Sequence, residues 1–524
     1  MTGVRELTIL VLSFICLCLI LALIKIFHKL WWAPTRVKHL MGLQGVKGPS
    51  YRFIHGSTKE IMSMQKEAMA RPLGLSNNIF PKILPHVHCW TNLYGKNYLQ
   101  WQGPQAELVI TEPELIKEIL SNRERVYPKV KAQIFLKKIF GDGVVASEGE
   151  KWEKMRKIAN YAFQTESLKG MIPAMIASVE GMIERWKDHE GKEIDVYEDF
   201  RLLTSEVISR TAFGSSYLEG KVIFEMMLKL TLVTSKNLYQ QRFPGISKVF
   251  KTRDQIESEN LEIGIRESII GMIKKREEKV MNGEEDSFGS DFLGVLLNAH
   301  HDADINQRIS VDDMVDECKT FYFAGQETTN SLLAWTVFLL AVNTDWQEKA
   351  RREVLDLFGR QNPNPDGIAK LKSLGLIINE SLRLYPPAIA VSRRVEREVR
   401  LGKLNLPANI NLCVPILALH HDPQIWGEGV NLFKPERFSE GVAKATKDNT
   451  AAFLPFGMGP RICVGFNFAL NEAKIALTMI LQRYSFTLSP AYVHSPVQIL
   501  TTCPQYGVQV MLHPLSKFEL ACEN

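Results

Sequence analysis

The sequence predicts a mainly α-helical protein with small β-sheets, an α+β architecture, behind a single N-terminal transmembrane helix. Three observations predict it. Residues 172–275 and 311–343 repeat apolar side chains at helical spacing, with breaks near Gly214 and Pro244 and no proline between Pro244 and Pro363. Tyr94–Ile110 holds the short alternating runs YLQW and AELVIT, and Val508, Val510 and Leu512 alternate again near the C-terminus, which predicts an antiparallel hairpin there. Leu7–Ile24 is apolar apart from Thr8 and Ser13, and its 18 residues meet the lower bound for a membrane span.

The N-terminal run reads as an uncleaved anchor. A cleaved signal peptide is the competing reading, but the run is long for one and no small-residue cleavage site follows. Trp31 and Trp32 suit a membrane interface, and Pro34 is expected to end the segment. Arg5 alone precedes the run, whereas Lys25, Lys29, Arg36 and Lys38 follow it, so the positive-inside rule places the body of the chain in the cytosol. The expected division is an anchor (1–30), a basic, proline-bearing lead-in (31–50) and one large domain (51–524), since no internal repeat or long Ser/Gly/Pro linker interrupts the remainder. Of 524 residues, 45% are hydrophobic and 23% charged, enough apolar material for a large core and unlike a disordered chain. A net charge of +5, with no compact zinc or RNA-binding signature, argues against a nucleic-acid partner. The eight cysteines are scattered without a C-x-x-C pair, which argues against a disulfide framework and for a reducing compartment.

Glu112–Asn122 is predicted to be helical, and Lys129–Phe140 mixes apolar residues with lysines. In Gly149–Phe163, Trp152 and Arg156 stand four apart on one helix face, and Lys151, Lys154 and Lys157 add a basic face. Residues 282–304 are polar and acidic and read as surface loops; His300 and His301 are expected to be solvated, because no carboxylate stands at ligand spacing. Ser310 is a good N-cap for a long helix over 311–343, with Asp312 and Asp313 in its first turn. At its centre, Phe323–Thr329 reads FAGQETT, and glycine and paired threonines are poor helix formers. Gly325 can let a ligand approach the backbone, and the Thr328 hydroxyl can bond a ligand or bond back along the helix. Leu371–Leu384 is amphipathic, and Glu380 and Arg383, three apart, can pair.

The chain is organised around FLPFGMGPRICVGFNFALNEAK, residues 453–474. Its first half is a Gly/Pro loop and its second half has helical spacing. Cys463 lies at the junction, where a new helix offers unpaired N–H groups and partial positive charge, a setting expected to favour thiolate. A thiolate there can be a nucleophile or a soft metal ligand, and a thiolate can hold haem iron. Gly459 and Gly465 bracket it and can admit a flat cofactor, Arg461 can pair with an anionic group such as a haem propionate, and Phe456 can pack beside the sulfur.

Together, F-x-x-G-x-R-x-C-x-G at Phe456, Gly459, Arg461, Cys463 and Gly465 resembles the haem-thiolate signature of the cytochrome P-450 family. Three further motifs fall in the family's order: W-x-x-x-R at Trp152 and Arg156, A-G-x-E-T-T at Ala324–Thr329, and E-x-x-R at Glu380 and Arg383 with P-E-R-F at Pro435–Phe438. The order WW-A-P-T-R, then QG-V-K-G-P-S-YRF, resembles the opening of the plant 72 clan. The resemblance implies the P-450 fold across the chain and haem b with Cys463 as axial iron ligand. It places Arg461, Trp152 and Arg156, with Phe456, Gly459, Gly465 and Ala324, around the cofactor, and allows Arg393 or Arg394 to reach a propionate. It gives Thr328 and Glu327 the handling of oxygen and protons. It makes Glu380, Arg383 and Arg437 a structural charge network, marks His420 and His421 as non-ligands, and makes Phe135, Ile139 and Leu500–Thr502 candidate pocket residues.

The function expected from this resemblance is that of a membrane-anchored haem-thiolate monooxygenase. It would hydroxylate a hydrophobic small molecule, terpenoid or isoprenoid hormone-like, using O2 and electrons from NADPH delivered by NADPH-cytochrome P-450 reductase, which would dock on the basic face. The setting is the endoplasmic reticulum membrane, single-pass, catalytic domain facing the cytosol. No Rossmann fingerprint is visible that would supply the electrons internally. Two alternatives stand beside it: an isomerase or dehydratase of the same fold working without reductase, and a non-catalytic haem carrier or sensor.

Overall fold

A computed structural model describes residues 2–122, 125–131, 134–238 and 251–515. Pro244 and Cys522 lie outside them.

The apolar N-terminus forms a helix over Thr2–Phe27 whose side chains from Val4 to Phe27 are exposed, as a lipid-facing helix requires. It does not stop at Pro34. A π-helical turn over His28–Trp32 leads into a further helix over Ala33–Gly42, with Pro34 near its start. Proline is tolerated because the backbone adjusts around the missing N–H. The Leu30 carbonyl, four residues earlier, accepts the Tyr51 hydroxyl instead, at 2.5 Å. The lead-in is therefore helical to Gly42 and irregular only beyond it.

Four strands make the largest sheet, in the order β1 (Asn97–Gln102), β2 (Gln105–Ile110), β7 (Asn411–Val414) and β4 (Val391–Arg394). β2 and β7 run parallel; the other pairs are antiparallel. Between β4 and β7 in the chain, β5 (Val399–Leu401) and β6 (Leu404–Leu406) pair as a separate small hairpin. The four-stranded sheet has its own apolar cluster, with Trp101, Leu108 and Leu412 at its centre. The C-terminal alternation is real, but its pairing differs from the expected hairpin. β11 (Gln509–Pro514) lies between β3 (Glu193–Asp195) and β8 (Tyr484–Leu488), both antiparallel. Val510 and Leu512 face inward, so the strand is placed by a buried face met from two distant segments. The local hairpin is β9–β10 (Pro496–Gln498 and Thr502–Pro504), with Leu500 in its turn at φ 125°.

The helix expected over 311–343 runs from Val311 to Val342, capped by Ser310 and Asp313 in a reciprocal box. It is buried almost all round, against the helices Val196–Ala212, Arg253–Met281, Lys372–Leu384 and Phe466–Leu481. A helix enclosed on every side needs no amphipathic stripe, which is why weak helix formers are tolerated at its centre. The Glu112–Asn122 expectation is met by Pro113–Ser121, and the basic Trp152 segment forms a helix over Gly149–Ala162.

Candidate functional site

Cys463 stands just ahead of the Phe466–Leu481 helix. Its N–H donates to the Phe456 carbonyl at 2.9 Å, which closes the loop back on itself, and the Phe456 ring packs against Phe466 at 5.9 Å. The Cys463 side chain has free surface, yet protein surrounds it closely enough for desolvation to raise its pKa. Free surface without bulk water is the mark of a group lining an interior cavity. The helix start was expected to favour thiolate. The Gly465 N–H and Arg156 do act in that direction, but the loss of solvent outweighs them.

The two bracketing glycines answer to different constraints. Gly459 has φ +74°, and a Cβ there would lie 2.3 Å from the Leu120 carbonyl oxygen. Backbone packing on the Pro113–Ser121 helix thus requires glycine at 459, whatever binds nearby. A Cβ on Gly465 would meet nothing within 4 Å, so that side of the loop is open.

Beside the loop lies a group of cations with too few anions. Arg461 stacks over Trp152 at 4.2 Å, pairs with Glu148 at 2.7 Å and donates to the Ser147 carbonyl at 2.8 Å. Arg156 donates to the Ile462 carbonyl at 2.5 Å. Trp152 and Arg156 therefore hold the cysteine loop in place. Burial and Arg461 lower the pKa of Arg393 to about 10. Burial, Arg393 and Arg461 together bring Lys129 down to about 7, against the opposing pull of Glu148. Lys129 and Arg393 also bridge backbone to backbone. On the same strand Arg394 has a buried Nε that no hydrogen bond reaches, and Ser147, whose carbonyl accepts from Arg461, has a buried Oγ without a partner. Lys129 was not singled out by sequence reasoning; no local pattern marks a lysine whose cationic neighbours lie some 260 and 330 positions downstream.

On the central helix, Ala324, Gly325 and Thr328 are half-buried in a stretch otherwise enclosed, so this face opens onto interior space. The Thr328 hydroxyl donates to the Ala324 carbonyl at 2.8 Å, leaving its oxygen lone pairs available. At Gly325 a Cβ would meet Ile208 at 2.6 Å, so the glycine seats the Val196–Ala212 helix, whether or not a ligand also approaches its backbone. Glu327 interacts with Arg201, Glu198 and Thr501. Burial raises it to about 7, with Arg201 pulling the other way.

Behind the loop, Glu380 and Arg383 are fully buried and meet through two 2.8 Å hydrogen bonds, a bidentate pair. Arg437 Nε is 3.4 Å from the same carboxylate, Lys434 N–H donates to it at 3.0 Å, and Arg383 donates to the His420 carbonyl at 2.9 Å. His420 in turn accepts the Leu454 N–H at 3.0 Å, tying the network to the start of the cysteine loop.

Other expectations change. Lys151 does not contribute free charge to a basic face; it pairs with Asp142 at 3.0 Å and with Asp313 at 2.8 Å, pinning its helix to the start of the central one. Lys154 donates to the Asn306 and Arg308 carbonyls, while Lys157 stays exposed. Phe135 and Ile139 are buried. Thr502 is held by Pro386, Ser331 and Trp335, whereas Thr501 reaches Glu327. His301 does meet a carboxylate, Glu277, at 2.9 Å.

A model of the cytochrome P450 family matches residues 80–511. The chain is 57% identical to cytochrome P450 CYP749A22 of Panax ginseng, covering 98% of this chain and 99% of that one. It is 40% identical to cytochrome P450 734A1 of Arabidopsis thaliana over 98% of each, and 43% identical to 11-oxo-beta-amyrin 30-oxidase of Glycyrrhiza uralensis over 96% and 98%. The chain belongs to the cytochrome P450 family, and its relatives place it with plant members of 72-clan type. It is a monooxygenase using haem b and electrons passed from a reductase partner.

The residues present fit that cofactor. An open thiol follows Arg461 by two residues, and Arg461, Lys129 and Arg393 share one acid, Glu148; a macrocycle bearing two carboxylates would balance that surplus.

Proposed function

We propose that the chain is anchored in the endoplasmic reticulum membrane by residues 1–30, with 31–50 as lead-in and 51–524 as the catalytic domain facing the cytosol. It oxidises a hydrophobic terpenoid or isoprenoid hormone-like molecule, drawing electrons from NADPH through NADPH-cytochrome P-450 reductase. The oxidase name of the Glycyrrhiza relative supports a terpenoid substrate. The observation that carries the reading is the open Cys463 thiol at the edge of a buried cation surplus.

Cys463 would hold the haem iron through its sulfur, and the bound group would supply the reductive activation of O2. Arg461, Lys129 and Arg393 would balance its carboxylates, and Trp152 and Arg156 fix the loop that presents the sulfur. Gly465, Phe456 and Ala324 would leave room for it and pack beside it. Thr328 offers its hydroxyl oxygen to a proton relay, and Glu327, raised to about 7, exchanges protons near neutrality from the side of Arg201 and Thr501. Glu380, Arg383 and Arg437 hold the loop from behind.

Reduced protein exposed to carbon monoxide should give the thiolate-type absorption band, and Cys463→Ser should abolish it. Steady NADPH consumption with product formation, in membranes reconstituted with reductase, separates this reading from a reductase-free isomerase and from a carrier. Titration with triterpenoids should shift the haem band; a response to small polar compounds alone would defeat the substrate assignment.

A further inference from the structure

Outside the cysteine loop and the residues that hold it, two adjacent histidines meet a carboxylate from another helix. Among the described residues, Glu277, His300 and His301 each offer one ligand atom, and these atoms lie within 4.8 Å of one another. Glu277 comes from the last turns of the Arg253–Met281 helix; His300 ends the Phe292–His300 helix and His301 caps it. All three retain surface, so an ion can reach them.

Three features prepare the trio for a cation. His300 Nδ1 lies 2.7 Å from the Ile309 carbonyl oxygen. A carbonyl only accepts, so Nδ1 carries the proton and the remaining lone pair is on Nε2, the arrangement typical of a metal-bound histidine. The His301 ring stacks on Phe288 at 5.1 Å and 16°, which fixes its plane, and its Nε2–H donates to Glu277 Oε1 at 2.9 Å, a proton that an entering ion would displace to take both atoms as ligands. Both histidines sit at the carboxyl end of a helix, where partial negative charge favours a cation.

The frame around the trio is also built. Arg276, next to Glu277, pairs with Asp291 at 3.1 Å and donates to the carbonyls of Phe288 and Phe213 at 2.8 and 3.0 Å. That clamp fastens the turn between the two helices, so their ends cannot drift apart.

We propose that Glu277, His300 and His301 form a surface site for a divalent transition-metal ion of the zinc class. Two imidazoles and one carboxylate suit such an ion, with water completing the coordination. The ion would tie the end of one long helix to the connection leading into Val311–Val342. The proposal is independent of the haem reading.

The test uses full-length, haem-loaded protein stripped with a chelator and titrated with Zn2+ by calorimetry. One ion per chain is expected, with Kd below about 10 μM. His300→Ala and His301→Ala should each weaken binding by more than about tenfold, and Glu277→Gln should weaken it as well. His189→Ala, at an exposed histidine elsewhere, should not. Zn2+ should also slow proteolysis within 282–310 in the parent protein and not in His301→Ala. Binding weaker than this, or binding that survives the double variant His300→Ala/His301→Ala with its absorption spectrum unchanged, overturns the site.

Discussion

Glu327 shows how one buried carboxyl couples stability to pH. Its pKa rises from 4.5 to about 7, mainly because burial disfavours the anion, while Arg201 offsets part of that cost. The fold therefore favours the neutral acid. Its contribution is fully present below pH 4.5 and is lost as pH rises through about 7. Glu327→Gln, neutral at every pH, should be more stable than the parent by up to about 3 kcal/mol at pH 8 and by much less at pH 5. Thermal melts at the two pH values check this. If Glu327 also feeds protons to the reaction, turnover should fall as pH rises through neutrality in the parent, and that dependence should vanish in the variant. Glu472 shares the character: it is buried, no hydrogen bond of good geometry reaches its oxygens, and burial raises its pKa well above the usual range despite the influence of Thr329. Glu472→Gln should be tolerated, with haem content unchanged.

Between elements, the fold depends on contacts that a residue pattern records only in part. Arg383 and Glu380 stand three apart on one helix, so their pairing is legible from spacing alone. Arg437 reaches the pair from a distant turn and was found only through resemblance. Arg383→Ala would leave Glu380 buried without its bidentate partner, at a cost of about 3–5 kcal/mol; purified yield and haem retention should both collapse, and Arg383→Lys should rescue only part. Gly325 teaches the opposite lesson. A glycine in a segment that resembles the family's oxygen motif invites a ligand-based explanation, yet the side chain it makes room for is Ile208 of the neighbouring helix. Gly325→Ala should cost about 1–3 kcal/mol through overpacking, and a smaller side chain at 208, Ile208→Ala, should recover part of it. The double-mutant cycle distinguishes that coupling from a cofactor effect, which Ile208 would not repair. Lys129 was not legible for a related reason: its pKa near 7 comes from burial and from two arginines far along the chain, and only the folded β4 strand and cysteine loop bring them together.

For the whole molecule, the informative error is at Pro34. Proline was expected to end the anchor, because it lacks the N–H that continues a helix. The chain instead passes through a π turn and runs on to Gly42. The catalytic body supplies what the helix lost: Tyr51 donates to the Leu30 carbonyl at 2.5 Å, and its ring packs on Trp101 of β1 at 4.9 Å. A second fastening lies a few residues on, where Gln44 and Asn405 exchange hydrogen bonds of 3.0 and 2.6 Å. The apolar helix and the rest of the chain are thus joined by specific bonds, so in a membrane their relative orientation would be set by the protein as well as by the bilayer. Each bond is worth about 1 kcal/mol, so Tyr51→Phe with Gln44→Ala should loosen the joint without unfolding either side. In nanodiscs, cleavage by added protease within 43–50 should speed up several-fold, while the melting temperature of the catalytic domain and the carbon monoxide band stay unchanged. Unchanged cleavage would mean that the lipid alone sets the angle.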